Sequence, residues 1–391
     1  MEKLARFALV GWLLSTAGVS AQAQSLDLEI ARLLEAENGT ACLPLLDGDP
    51  ISVLTGQLAV ICTRDSSGSS SDVSSSTGAT VSGAILKSLQ ERLEALDTAD
   101  AQAGHGFFMN VRSDREDRDI TDFADGYSSE RESLQIGYDQ NVGQWVIGGT
   151  YQLSRQDGDF RGGGDFERDA HQWTLFAERN LGTRSNLSFY VGQTAQDNEQ
   201  QRIAVYQDFD GGILEAEFLG TPESDFEIDQ NIAGIAFNHV WTQGNFNYGP
   251  VLALDYRDIE TNAYTEFEAV DSGLALNFDA DDRRSVLATI GLEAQISLDT
   301  QLGRLHLFQF VRWQVELEED QRRLEASFVG DTRNRRFEYL SETPDDDFIL
   351  FGLAANLDLG SGWQAVISYQ QLAGHSFLEN RTLQAGLRWD F

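Results

Sequence analysis

The 391-residue chain sets 28 Lys and Arg against 63 Asp and Glu, for a formal net charge of -35, and has only two Cys. Such a surface repels polyanions and excludes nucleic acid as a partner. Past the N-terminus no run of about 18 apolar residues occurs, which excludes a transmembrane helix but not a membrane β-barrel, whose strands show lipid only every second residue.

Residues 1–23 read as an export signal: Lys3 and Arg6, an apolar run from Phe7 to Ala17, then Ala21-Gln22-Ala23 as a small-residue cleavage site. Residues 24–64 are the only part expected to fold outside a membrane. Leu26, Ile30, Leu33 and Leu34 have helical spacing, and Cys42 and Cys62 enclose a turn at Asp47-Gly48-Asp49-Pro50 and two β-prone runs, Ile51 to Leu54 and Leu58 to Ile61. In an oxidising periplasm these cysteines are expected to form one disulfide, contributing roughly 3 kcal/mol by restricting the unfolded loop. Residues 65–82 are Ser, Gly and Thr with almost nothing apolar, a flexible tether. Residues 83–104 predict an amphipathic helix with Ile85, Leu86, Leu89, Leu93 and Leu96 in one stripe.

From residue 105 to 391 short segments alternate apolar and polar residues. Twelve strands are predicted, near 106–117, 127–140, 144–156, 168–180, 186–200, 225–241, 245–259, 282–298, 303–318, 346–358, 362–372 and 379–391. Tight connections near 141–143, 181–185, 242–244, 299–302 and 359–361 interleave with long charged ones near 157–167, 201–224, 260–281 and 319–345. Bacterial barrels turn tightly in the periplasm and carry long loops outside, and an even strand count closes without an edge. The fold class is therefore all-β transmembrane, a 12-stranded antiparallel outer-membrane β-barrel, with the helix expected in its lumen; a soluble β-sandwich predicts no such alternation.

In the last strand Leu383, Ala385, Leu387, Trp389 and Phe391 share one face, and Gln384, Gly386, Arg388 and Asp390 the other. The same alternation turns Gly137, Gly148, Gly192, Gly234, Gly249, Gly291, Gly352 and Gly386 inward, so something is expected to approach the wall closely, the helix being the obvious occupant. The competing reading is that small residues relieve crowding in a curved sheet. Gln135, Asp139, Gln152, Asp255, Arg257, Glu293, Arg312, Gln314, Glu316 and Arg388 also come out inward, a hydrated lining that suits a helix or an ion pore equally. Trp145, Tyr151, Trp173, Trp241, Trp313, Trp363, Tyr369 and Trp389 come out on the lipid face, as interfacial girdles require.

No metal site and no cofactor is expected. Asp279, Asp281 and Asp282, or Asp345, Asp346 and Asp347, would offer clustered oxygens to calcium, but neither run has EF-hand spacing. His105, His171, His239, His306 and His375 fall in no metal or nucleophile motif, and residues 24–64 contain no His. An enzyme is therefore not expected; a lipase or protease assembled from strand ends in the barrel wall is the one class that spacing leaves open.

The order of signal, short exported part, tether, helix and twelve-stranded barrel ending in Trp389-Asp390-Phe391 resembles the monomeric autotransporters of type Va secretion, over about 310 residues from Gly83 onward. The resemblance implies a monomer in outer-membrane lipid and lipopolysaccharide. It implies insertion by the barrel assembly machinery, which would read Leu383, Leu387, Trp389 and Phe391 as its signal, with periplasmic chaperones as transient partners. It further implies that residues 24–64 are a passenger carried to the cell surface, leaving the helix in the lumen. Two features depart from the family: the passenger is unusually short, and residues 83–103 contain no Asn at which some members cut themselves. The passenger is therefore expected to stay attached. A porin-like channel plugged by its N-terminal helix is the alternative.

Overall fold

The computed structural model describes residues 53–54, 104–121, 125–210, 213–269, 275–318, 323–329, 336–340, 345 and 347–391. The signal segment, the tether, the helix stripe Ile85, Leu86, Leu89, Leu93 and Leu96, the pair Cys42 and Cys62, and all of the passenger but Val53 and Leu54 lie outside the described residues.

Twelve strands form the wall: β1 (His105–Arg118), β2 (Tyr127–Val142), β3 (Trp145–Phe160), β4 (Gly164–Asn180), β5 (Ser185–Arg202), β6 (Glu223–His239), β7 (Phe246–Thr261), β8 (Asp281–Thr300), β9 (Gly303–Glu316), β10 (Asp347–Gly360), β11 (Trp363–Ala373) and β12 (Leu378–Asp390). Each pairs antiparallel with its sequence neighbours, and β1 pairs with β12 to close the barrel. Bends at the periplasmic end are tight because glycine takes the left-handed backbone there, as at Gly143 (φ 65°) and Gly244 (φ 65°).

Register fixes the size. From Val111, hydrogen-bonded partners lead one way through Leu134, Leu153, His171, Ala195 and Asp229 to Glu260. The other way they lead through Ala385, Ile367, Ala355, Leu307 and Ile296 to Phe246, 14 residues away on the same strand. With ~3.3 Å rise per residue and ~4.8 Å between strands, that stagger tilts the strands by roughly 39° and gives a wall radius of about 12 Å. Inward side chains then leave a bore roughly 12 Å wide, the diameter of one α-helix.

The long connections differ from expectation. β3 and β4 extend until three residues, Arg161 to Gly163, join them, so the long loop read near 157–167 is mostly strand. Much of the other three charged connections is strand too: Ala204–Asp210 pairs with Ile213–Gly220, and Tyr264–Thr265, Leu276–Phe278, Arg323–Phe328 and Arg336–Leu340 form a second sheet, whose outer edge Val53–Leu54 joins in parallel. Slips in register, such as the one between Asp208 and Phe209, break the alternation that makes a strand readable.

Candidate functional site

The site is the lumen and the band of wall around it. On the outer face Leu383, Ala385, Leu387, Trp389 and Phe391 line up along β12, a nine-residue stretch that at the tilt above is about 23 Å tall, the height of an outer-membrane apolar band. The band runs round the wall through residues such as Leu353 (59% exposed) and Leu292 (66%). Charge begins above it, at Arg115, Glu130, Arg155, Glu167, Asp258 and Arg284, all exposed except Glu167 and Asp258, which are partly covered.

Aromatic rings mark both rims. On the periplasmic side Trp363 stacks on Trp389 (5.8 Å), Phe391 packs on Trp389 (4.6 Å) and on His105 (5.7 Å), and Trp241, Tyr248 and Phe246 form a second group. Tyr151, Trp173, Trp313 and Tyr369 face outward nearer the opposite rim, and Trp145 faces outward near the periplasmic turn. Phe391 is also tied to β1 through backbone bonds in both directions with His105 (3.0 and 2.9 Å), so Leu383, Leu387, Trp389 and Phe391 lie along one side of the closing seam.

The inner face is polar, and several of its charges are paired. Arg388 of β12 donates two hydrogen bonds (2.9 and 3.0 Å) across β1 to Asp139, and a third to Asp390 (3.0 Å). Arg312 pairs with Glu293, the Tyr190 hydroxyl donates to Asp255, and Arg112 (Nε, 2.8 Å) and Thr382 (2.5 Å) both donate to Asp114. Asn110 bonds Gln135 (2.9 Å), and Gln314 bonds Thr289 (3.1 Å). Gln152 and Arg257 are also buried on this face, and Glu316 accepts from Ser285 (2.6 Å). Short pairing partners keep these charges from seeking a passing chain, so the wall is wet without being sticky.

All eight inward glycines lie on this face, and each meets a neighbouring strand. Gly137, Gly148, Gly234 and Gly352 sit directly opposite Phe108, Phe176, Tyr190 and Phe310, whose rings lie flat over them. A Cβ on any of the four would clash with ring carbons. Gly291 lies under Arg312, Gly386 under Asn110, Gly192 against Thr174 and Ile232, and Gly249 against the His239 carbonyl where β6 breaks. Close approach is thus made by the wall's own side chains. Phe108, Val146, Phe176, Tyr190 and Ile232 join into one buried cluster, which sequence reading missed. Its signal was there: Phe107-Phe108, Leu175-Phe176 and Phe189-Tyr190 are adjacent apolar pairs that interrupt strict alternation.

The histidines lie apart from one another, and their partners differ. His239 bonds Ser185 (2.8 Å) on the outer periplasmic rim, and His306 bonds Ser297 (2.9 Å) and Gln295 (2.9 Å) inside it. His375 meets Asp345 (3.0 Å), to which Ser376 also donates (2.7 Å), so hydroxyl and imidazole share one carboxylate. Asp279 pairs with Arg336, Asp347 accepts from Trp313 (2.7 Å), and no group of three or more metal-ligating side chains occurs among the described residues.

Known proteins give the same picture. The autotransporter beta-domain family matches residues 107–370. Among solved structures, the translocator domain of the autotransporter NalP from Neisseria meningitidis superposes with a TM-score of 0.57 at 13% identity, covering 80% of this chain and 98% of that one. The beta domain of the Bordetella autotransporter BrkA gives 0.53 at 16%, covering 74% and 100%. No curated protein matches the sequence. At these identities the structures speak for the fold alone, whereas the family match spans most of the chain: it belongs to the autotransporter beta-domain family, the translocator barrels of the outer membrane.

Proposed function

We propose that this barrel carries its own residues 24–64 to the cell surface and keeps them there, closed by a Cys42–Cys62 disulfide. The observation that carries the reading is where the chain enters the wall. The Gly104 carbonyl accepts from Asn141 (3.1 Å), and His105 is bonded to Phe391, so β1 begins at the periplasmic rim beside the C-terminus. From that rim an N-terminal segment reaches the surface only through the bore, which is wide enough for one helix or a pair of extended strands and is lined by polar side chains, among them the pairs Arg388–Asp139 and Arg312–Glu293. The helix of residues 83–104 is then left in the lumen, its polar faces toward Gln135, Gln152 and Gln314.

The role is positional, not catalytic. Lipid and lipopolysaccharide hold the outer band, while the assembly machinery and periplasmic chaperones act transiently before β12 seals against β1. An epitope tag placed between Thr63 and Asp65 tests the reading. Antibody binding to intact cells, with a periplasmic protein as leakage control, is the expected result. Labelling only after permeabilisation would replace it with a plugged channel, for which deleting residues 83–103 raises conductance.

A further inference from the structure

Above the apolar band the wall is lopsided. β1 ends at Arg118, β11 at Ala373, and β2, β4 and β12 begin at Tyr127, Gly164 and Leu378, close to the rim. β5 to β10 instead continue upward. The β5–β6 ladder reaches Gln201↔Glu223 and resumes at Ala204↔Gly220, and the β7–β8 ladder reaches Thr261↔Asp281 and resumes at Tyr264↔Phe278, both in unbroken register. Arg323–Phe328 and Arg336–Leu340 continue β9 and β10 with a one-residue slip, and Glu223 bridges Phe267 to join this raised half-wall to β6.

The half-wall is rigid. Arg202 grips Glu266 through two bonds (2.7 Å each), with the side chains 4% and 1% exposed, and Glu266 also accepts from the Leu276 amide (2.8 Å). Phe226, Tyr264 and Phe278 stack in a ladder (4.4 and 4.6 Å) beside buried Ile228, Ile259 and Leu276. One lateral edge is joined to β6. The other, Arg336–Leu340, stands above the top of β11, which therefore cannot pair with it at that height. Unpaired edges recruit strands.

We infer that this edge is the docking strip of the exported segment: Val53–Leu54 adds to the half-wall as a further strand, held by main-chain pairing. The inference rests on the export reading above. Val53 lies opposite Glu338 and Leu54 opposite Tyr339, in parallel. The direction fits the path of the chain. Arg336–Leu340 descends toward the membrane as β10 does, so the parallel Val53–Leu54 also descends, the direction in which Gly104 lies at the periplasmic rim. The 49 residues between Leu54 and Gly104 span up to ~160 Å extended, ample for a wall on the order of 60 Å tall even if 83–104 is helical.

The test uses cells making the full chain. In a Cys42→Ser, Cys62→Ser background, Leu54→Cys with Tyr339→Cys is oxidised, since neighbouring strands stand at disulfide distance. The expected result is an intramolecular, reductant-reversible adduct on the order of tenfold above Leu54→Cys with Asp119→Cys. Because losing the native cysteines could unfold the segment, a photoreactive phenylalanine analogue at Val53 in the otherwise native chain gives a second reading, its adduct expected on the Arg336–Leu340 peptide. A membrane-impermeant maleimide on Leu54→Cys alone reports the side of the membrane. Labelling of intact cells without either adduct overturns docking and leaves export standing; labelling only after permeabilisation overturns both. An adduct the size of two chains overturns self-docking in favour of a second copy.

Discussion

The wall below the headgroup level and the wall above it are opposite in chemistry. Below, Leu292, Leu353 and Leu387 face out while Gln135, Asp139, Asp255 and Arg388 face in. Above, Arg155, Glu130 and Arg284 face out while Tyr127, Phe160, Phe166, Ile228, Ile259 and Phe278 are buried within. Each strand keeps its alternation, but what lies on each side changes: lipid gives way to water outside, and the polar lining of the bore gives way to apolar clusters between neighbouring strands on the inner face. The lower half is thus held by ladders, lipid and rings laid on glycine, and the upper half as a soluble sheet is. The height of the inversion marks the membrane surface.

The sharpest way to break the upper half alone is Glu266→Ala. It strands a buried guanidinium and costs about 3–5 kcal/mol. Proteolysis should then open the 262–280 region of intact cells while the heat-modifiable mobility of the barrel is unchanged. Next comes the lower half. Leu292→Arg at mid-band costs roughly 2–4 kcal/mol in urea unfolding from lipid vesicles, whereas Asp157→Arg, above the inversion, shifts stability within about 0.5 kcal/mol. Equal costs at both heights would erase the boundary. Gly137→Ala forces Phe108 off the wall for about 1–3 kcal/mol, and the loss should be far less than additive with Phe108→Ala in a double-mutant cycle. The smallest effect belongs to Arg155→Ala, which removes an exposed pair with Glu167 and should change stability by at most about 1 kcal/mol, less in high salt.

Alternation made the lower half legible. Leu383 to Phe391 announces one lipid face and one wet face, and the same period locates all twelve strands and the inward glycines. The rings that cover those glycines were not legible, because Phe108 or Tyr190 reads as strand hydrophobicity until register sets it opposite Gly137 or Gly234. The upper half was read as loop for a related reason. Its strands are short, broken by a slip at Asp208 and by a gap in the ladder at Asn262, and rich in charge on the face that had been lipid. Arg202 and Glu266, 64 residues apart, carry no local sign that they belong together.

The seam between β1 and β12 also governs timing. Gly106 pairs with Asp390, and His105 with Phe391, so the contact that closes the wall joins its first strand to its last. A ribosome must finish the chain before the cylinder can exist, and until β12 meets β1 the sheet keeps two bare edges. The last strand is therefore less a tail than a latch, and a chain lacking it would remain an open sheet in search of a partner.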